Sequence, residues 1–139
     1  MKTLIIGGSG KIGKFFSRSN KKYLLTYNKN KIPYGIKFNL CKDNISSIIK
    51  KYNINTIVLL SAISDPDKCF KQKKISHLVN IKYTKNLISK IKNKKIHLIF
   101  ISTEFVYSGL NGNYSENSTT KPINIYGKQK LTIENYIKK

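Results

Sequence analysis

Acidic residues are scarce in this chain of 139 residues: 6 Asp and Glu stand against 27 Lys and Arg, which gives a formal net charge of +21. Tryptophan is absent, and Arg18 is the single arginine. Proteins that read base edges favour the arginine fork and group their charges on one element. The lysines here lie on nearly every predicted element, so the charge predicts nonspecific attraction to polyanions at low salt and no specific nucleic-acid binding.

Cysteine and histidine are equally sparse. Cys41 and Cys69 lack the CxxC spacing, and His77 and His97 do not join them in a cluster typical of a metal site. We therefore expect reduced thiols and no bound metal.

Long hydrophobic runs are missing too, since no stretch approaches the roughly 20 apolar residues of a membrane span. The first strand-like run begins directly after Met1, without the basic segment and apolar stretch of a secretory leader. These features predict a cytoplasmic protein that does not cross a membrane. The length suits a single domain over residues 1–139.

Short apolar runs alternate with helical patterns along the whole chain. Strands are predicted at "TLIIG" (3–7), "YLLTY" (23–27), "GIKFN" (35–39), "TIVLLSA" (56–62) and "IHLIFIS" (96–102). Helices are predicted over 11–20, with Ile12, Phe15 and Phe16 on one face, over the residues that follow a cap at Asp43, over 76–93 and after Pro122. The polar stretch 108–122 is predicted to be a loop.

Apolar strands without polar alternation, separated by helices, are typical of a parallel sheet covered on both faces. The sequence therefore predicts a doubly wound α/β domain of the Rossmann type. Right-handed crossovers with one switch of direction give the strand order 3-2-1-4-5, with a ligand crevice beyond the ends of the first and fourth strands.

The stretch "GGSGKIG" joins the first predicted strand to the first predicted helix. It contains Gly7, Gly8, Ser9, Gly10, Lys11, Ile12 and Gly13, and it satisfies both GxxGxxG and GxGxxG. In such loops the first glycine permits the tight turn, the middle one admits a pyrophosphate, and the last allows close helix packing. The loop therefore predicts dinucleotide binding.

The end of the second predicted strand bears on the choice of nicotinamide cofactor. An acidic residue there bonds the ribose 2′-hydroxyl, whereas basic residues accept a 2′-phosphate. Here it reads "TYNKNK" (26–31), and no acid precedes Asp43. This favours NADPH over NADH, with Lys29 and Lys31 as the candidates for the 2′-phosphate and Asn28 as a further cofactor-binding residue.

Three motifs later in the chain carry a family resemblance. They read "LLSAISDPDKCF", "STEFVYSGLNGNYSE" and "KPINIYGKQKLTIE". With the glycine loop, they resemble the extended short-chain dehydrogenase/reductase superfamily and, within it, the dTDP-4-dehydrorhamnose reductase branch of nucleotide-sugar enzymes. The likeness covers essentially the whole chain.

The resemblance implies a catalytic group of four residues. Tyr126 is the general acid, Lys130 lowers its pKa and binds the nicotinamide ribose, Thr103 hydrogen-bonds the substrate carbonyl, and Asn80 supports a proton relay. Lowering a tyrosine pKa from about 10 to near neutrality requires about 4 kcal/mol. An ammonium about 5 Å away supplies roughly 3 kcal/mol at an effective dielectric constant of about 20.

The chain also departs from the family pattern. Asn39, followed by Leu40, stands where the family has an acid on the adenine side, and Ser61, Ala62 and Ile63 replace a run of alanines that lines the cofactor. Family members continue well beyond this length and supply a substrate lobe, so the chain corresponds to the cofactor-binding half.

The leading hypothesis is an NADPH-dependent reductase of a 4-keto nucleotide-sugar, completed by a homo-oligomer or a partner chain. The alternatives are an epimerase or dehydratase fragment and a non-catalytic dinucleotide-binding subunit. A partner would also cover the apolar side chains of the last helix, which are Ile125, Leu131, Ile133 and Ile137.

Overall fold

Five parallel strands form one sheet in the computed structural model, which describes residues 2–18 and 23–138. In chain order they are β1 (Thr3–Ile6), β2 (Tyr23–Tyr27), β3 (Ile36–Lys37), β4 (Thr56–Leu59) and β5 (His97–Phe100). Their order across the sheet is β3-β2-β1-β4-β5, and every neighbouring pair is parallel. The predicted α/β class and strand order are both confirmed.

The central strands are the most buried part of the sheet. Residues 4–6 of β1 and 57–59 of β4 are all buried, and Leu4 lies beside Ile57 in the register of the two strands. In a parallel sheet the connecting helices cover both faces, so central strands are buried on both sides and their sequences lack polar alternation.

The described residues form six α-helices. They are α1 (Lys11–Arg18), α2 (Ile45–Tyr52), α3 (Pro66–Lys71), α4 (Lys73–His77), α5 (Thr84–Ile91) and α6 (Ile125–Ile137). A π-helical segment, Leu78–Tyr83, joins α4 to α5, and a 3₁₀ turn, Glu104–Val106, follows β5. The last two residues of the predicted first helix, 19 and 20, lie outside the described residues.

The chain packs as two compact units. Unit 1 consists of Met1–Ala62 with Asn86–Ile101 and contains all five strands, and unit 2 consists of Ile63–Lys85 with Ser102–Lys139.

Helix starts differ from the prediction at two places. The cap of α2 is Asn44, whose side chain accepts from the Ser46 N–H, whereas Asp43 accepts from the backbone N–H of Asn39. Asp43 was therefore wrongly predicted as the cap, because it closes a turn one residue earlier. Helix α3 was missed although Asp65 caps it and Pro66 occupies its first turn, a pairing typical of a helix start.

The predicted helix over 76–93 is interrupted. Its central part winds as a π-helix, and the Thr84 hydroxyl donates to the carbonyl oxygen of Val79, five residues earlier. A hydroxyl that binds so far back stabilises the wide turn locally. Such segments are common at functional sites, and this one contains Asn80.

Two apolar faces also differ from expectation. Ile12 and Phe15 of α1 are 54% and 74% exposed, although the helical pattern grouped them with Phe16. On α6, Ile133 is fully buried within the chain and Ile137 is 39% exposed, so Ile133 needs no partner to cover it.

Candidate functional site

The glycine loop between β1 and α1 is built on close backbone contacts. Gly7 has φ +99°, and a Cβ there would lie 2.9 Å from the backbone nitrogen of Ser61. A Cβ on Gly13 would lie 2.5 Å from the Cα and the carbonyl oxygen of Gly8. Gly13 was predicted to allow close packing of α1 on the strand. In the structure, the nearest atoms to a Cβ at Gly13 belong to the backbone of Gly7 and Gly8, in the loop between β1 and α1.

Hydrogen bonds hold this loop against the end of β2. The Gly8 N–H donates to the Thr26 carbonyl oxygen over 2.8 Å, and the Gly7 N–H donates to the Thr26 hydroxyl over 3.2 Å. The Gly10 N–H turns back to the Gly7 carbonyl oxygen over 3.1 Å. Hydrogen bonds to Thr26 and within the loop therefore hold its conformation without a ligand.

The outer part of the loop faces solvent. Ser9 is half-buried, and Gly10, Lys11 and Ile12 are exposed at the start of α1. The first N–H groups of a helix have no partner within the helix and carry a partial positive charge. The residues present thus fit the diphosphate of a dinucleotide, which would lie at the exposed N-terminus of α1.

Substituting Gly13 tests the packing of this loop. Gly13→Ala is expected to lower the free energy of unfolding by about 3 kcal/mol, because the added methyl group overlaps the Gly8 backbone. Gly10→Ala is the matched control, because the added Cβ would lie 3.3 Å from its nearest atom, the Gly7 carbonyl oxygen, and would therefore need only a small adjustment. Urea denaturation of both variants measures the difference, and an equal loss in both would contradict the assignment.

The candidate residues at the ends of β2 and β3 differ in their surroundings. Asn28, Lys29 and Lys31 are exposed. Asn39 is half-buried beside Leu40, and its side-chain oxygen accepts from the Cys41 N–H over 2.9 Å. The side-chain oxygen of Asn39 thus closes a local turn. The side-chain NH₂ group of Asn39 is the part that could donate a hydrogen bond to a ligand.

Ser61 and Ala62 follow β4, where both are half-buried in unit 1. The Leu60 N–H still donates to the carbonyl oxygen of Ile6 over 2.9 Å, so the chain stays beside β1 up to this point. The ends of β1 and β4 therefore lie together, as the strand order predicted.

Tyr126 and Lys130 lie one turn apart on α6 in unit 2, and both are buried, with 7% and 5% exposure. The Lys130 Nζ is 5.7 Å from the centre of the Tyr126 ring. The Asn124 side chain caps the helix by accepting from the Gly127 N–H over 2.8 Å. A Cβ on Gly127 would lie 2.1 Å from the Phe105 carbonyl oxygen, so glycine is required beside the tyrosine.

Thr103 caps the 3₁₀ turn of unit 2. Its hydroxyl oxygen accepts from the Phe105 N–H over 3.3 Å, and the hydroxyl lies 3.1 Å from a carboxylate oxygen of Glu104. Phe105 in turn lies edge-on to Tyr126, with ring centroids 6.3 Å apart. The turn thus connects Thr103 to the tyrosine through Phe105.

Asn80 is tied into a buried polar network. Its side-chain oxygen accepts from the Ile63 N–H over 2.8 Å, and its NH₂ donates to the Ile63 carbonyl oxygen over 2.9 Å. The same NH₂ donates to the Gln129 side-chain oxygen over 2.7 Å, and the Gln129 NH₂ donates to the Ser76 hydroxyl over 2.9 Å. Asn80 therefore fixes the backbone of Ile63 relative to α6.

The sequence reasoning missed Gln129, Ser76 and Gly127 as parts of this arrangement. Gln129 is 5% exposed and Ser76 fully buried. The sequence offered one signal for two of them: Gln129 and Gly127 both lie between Tyr126 and Lys130 in "YGKQK". A buried side-chain amide needs hydrogen-bond partners, which points to a specific contact.

The charge states of the tyrosine and lysine differ from the expectation. Burial raises the pKa of Tyr126 above its usual value, and the Cys69 and Glu104 side chains raise it further. Burial also lowers the pKa of Lys130 to about 8, although the Glu134 carboxylate opposes this change. The residues of this chain alone thus do not lower the pKa of Tyr126, because the same burial that excludes water disfavours both charged forms.

The pKa of Lys130 predicts a pH-dependent stability. A lysine with a lowered folded-state pKa destabilises the fold while it is charged, and the effect disappears as the pH rises from about 8 through 10.5. Lys130→Met is therefore expected to raise the free energy of unfolding at pH 7 by about 2–3 kcal/mol. The gain should vanish near pH 10.5, as measured by urea denaturation across this range.

The control for this experiment is Lys128→Met, which removes an exposed ammonium from the same helix. It should change the free energy of unfolding by less than about 0.5 kcal/mol at each pH. If Lys130→Met raises the free energy of unfolding equally at every pH, the cause is improved apolar packing and not the removal of a desolvated ammonium.

The described residues contain neither a metal-binding cluster nor a helix that could span a membrane. Within 2–18 and 23–138, no group of three or more His, Cys, Asp or Glu side chains could hold a metal ion. Over the same ranges, none of the helices has the length and apolar character needed to cross a bilayer.

Comparison with known proteins identifies the family. The model of the family described as "RmlD substrate binding domain" matches residues 1–139. The chain belongs to this family. The resemblance to the dTDP-4-dehydrorhamnose reductase branch of the extended short-chain dehydrogenase/reductases is thereby confirmed.

Relatives of this RmlD-family chain are about twice as long. Methionine adenosyltransferase 2 subunit beta of Danio rerio is 30% identical over 142 residues, covering 98% of this chain and 43% of that protein. The structure of a hypothetical dTDP-4-dehydrorhamnose reductase from Sulfolobus tokodaii is 32% identical with a TM-score of 0.87, covering 98% of this chain and 51% of that one. The dTDP-4-dehydrorhamnose reductase of Bacillus anthracis in complex with NADP shares the fold, with 23% identity and a TM-score of 0.80, covering 99% and 49%.

Proposed function

We propose that residues 1–139 form the dinucleotide-binding part of an NADPH-dependent reductase that acts on a 4-keto nucleotide-sugar. The observation that carries the proposal is the buried pair on α6, with the Lys130 amine 5.7 Å from the Tyr126 ring. Membership of the RmlD family supports the same reaction class. The cytoplasmic location and the need for a second chain at the substrate site belong to this proposal.

The cofactor would be held by the glycine loop and its surroundings. Backbone N–H groups at the start of α1 would bind the diphosphate, and Lys29 and Lys31 would bind the 2′-phosphate, with Asn28 beside the ribose. Asn39 and Leu40 would border the adenine, and Ser61, Ala62 and Ile63 would line the ring system. The B. anthracis protein, which shares the fold, was solved with NADP.

The reaction is a reduction in which a bound NADPH supplies the hydride. Thr103 would orient the substrate carbonyl by hydrogen bonding, and Tyr126 would transfer its phenolic proton to the oxygen. Lys130 would bind the ribose and stabilise the phenolate that remains until solvent returns a proton. Asn80 would act as a positioning residue through Ile63 and Gln129, because its carboxamide is bonded to both.

Cofactor preference can be tested at the end of β2. We expect the unmodified chain to bind NADPH more tightly than NADH, because this strand end lacks an acid. Asn28→Asp should raise the affinity for NADH relative to NADPH about tenfold by pairing with the ribose 2′-hydroxyl and repelling the 2′-phosphate. Titrations with each nucleotide, followed by nicotinamide fluorescence, measure the ratio.

Asn135→Asp introduces the same charge at an exposed position of α6 and serves as the control. An equal change of the ratio in both variants would show that net charge alone is responsible. An unchanged ratio in Asn28→Asp would remove this residue from the cofactor site.

The proton donor can be tested by Tyr126→Phe. We expect this variant to bind NADPH with affinity close to that of the unmodified chain and to lose at least about 10²-fold in the rate of NADPH oxidation with a 4-keto nucleotide-sugar. Tyr136→Phe, which removes a hydroxyl elsewhere on α6, should keep its activity. Turnover that survives Tyr126→Phe would assign the proton to another group.

A second candidate function is a non-catalytic dinucleotide-binding subunit. The D. rerio relative is named as a subunit of methionine adenosyltransferase 2, which favours this alternative. Tight binding of NADPH without turnover of any 4-keto nucleotide-sugar, alone or with a partner chain, would support the subunit function over the reductase.

A further inference from the structure

Ser102, Lys130 and Glu134 form a polar cluster in unit 2. The Ser102 hydroxyl donates to a Glu134 carboxylate oxygen. Glu134 follows Lys130 by one helical turn, which places both side chains on the same face of α6. Lys130 is 5% exposed, whereas Glu134 and Ser102 are half-buried.

Local helix energetics do not explain a glutamate at this position. Glu134 begins the last turn of α6, where the partial negative charge of the helix end disfavours a carboxylate. On an isolated helix, a lysine four residues before a glutamate is also the weaker order of the two. A contact outside the helix must therefore compensate, and the Ser102 hydroxyl provides one.

We propose that Glu134, fixed by the Ser102 hydroxyl, is a positioning residue that keeps the buried Lys130 in its protonated form. A buried ammonium without an opposing charge loses its proton readily, because desolvation disfavours the charged form. An ammonium is the form that donates hydrogen bonds and stabilises a phenolate. The role of the Lys130 ammonium in cofactor binding and proton transfer rests on the proposed function. The protonation state of Lys130 is independent of that function.

Other titratable groups lie on the elements packed against α6, which are α3, α4, the π-helical segment, the start of α5 and the 3₁₀ turn. Lys73, Lys74 and His77 of α4 are exposed, and Lys85 of α5 lies over the Tyr136 ring. The titratable side chains of α3 are Asp67, Lys68, Cys69 and Lys71, those of the π-helical segment are Lys82 and Tyr83, and that of the turn is Glu104. Asp67, Lys68, Lys71, Lys82 and Glu104 are exposed, and burial raises the pKa of Cys69, which favours its neutral thiol. Glu134 is the carboxylate that acts on Lys130 from the same helix face.

The test measures the titration of Lys130 directly, in the full chain and without cofactor. Lysine ¹³Cε resonances are followed by NMR from pH 6 to 11, and the Lys130 signal is identified by its loss in Lys130→Arg. In the unmodified chain its midpoint is expected near pH 8. In Glu134→Gln, which keeps the shape and the hydrogen bond of the side chain, the midpoint should fall by about one pH unit.

Two further variants make the result specific. Ser102→Ala should lower the midpoint by a smaller amount, because the freed carboxylate can turn towards solvent. Glu116→Gln removes an exposed carboxylate from the loop of the same unit and should leave the midpoint unchanged. Amide spectra of each variant establish that the fold is intact.

An unchanged midpoint in Glu134→Gln would overturn the proposal, and so would an equal fall in Glu116→Gln. If Glu134→Gln does not fold, the Ser102→Ala midpoint decides, and a value equal to that of the unmodified chain overturns it. This readout needs neither NADPH nor turnover. Failure of the proposed reductase function would therefore leave the assignment of Glu134 standing, and the reverse also holds.

Discussion

Close backbone contact at glycine is the constraint on which each unit of this protein depends. In unit 1 the start of α1 lies against the loop after β1, where Gly13 meets Gly8 without space for a side chain. In unit 2 the first turn of α6 lies against the chain after β5, where Gly127 meets the Phe105 carbonyl. Each contact brings the start of a helix against a short loop. The start of α1 carries the glycine-loop residues, and the start of α6 carries Tyr126.

The sheet could be predicted from the sequence because its strands are short apolar runs bounded by polar residues, and the order followed from the rules for right-handed crossovers. Local competition between caps was harder to predict. Asp43 and Asn44 are both good capping residues, and the choice between them depends on the turn that begins at Asn39. Exposure of Phe15 could not be predicted either, since a helical pattern gives a face but not the surface that covers it.

The sequence predicted which residues form the candidate site. The structure adds the hydrogen bonds that position these side chains and the burial that sets their protonation states. Tyr126, Lys130, Thr103 and Asn80 were assigned from motifs, but the burial that sets the pKa of the first two arises from tertiary packing. The same packing recruits Gln129, which no motif required. Motif spacing therefore indicates which chemistry is available, whereas the protonation state follows from how completely water is excluded.

The π-helical segment determines how this part of the chain tolerates changes of length. A π turn contains one residue more than an α turn, and each residue of an α-helix corresponds to a rotation of about 100°. Deleting a single residue between Leu78 and Tyr83 would therefore restore regular α-helical winding while the flanking turns keep their orientation, whereas the same deletion in a regular helix rotates every later side chain by about 100°. This segment should therefore accommodate the loss of one residue better than α5 does, provided that Asn80, which bonds Ile63 and Gln129, is the residue retained.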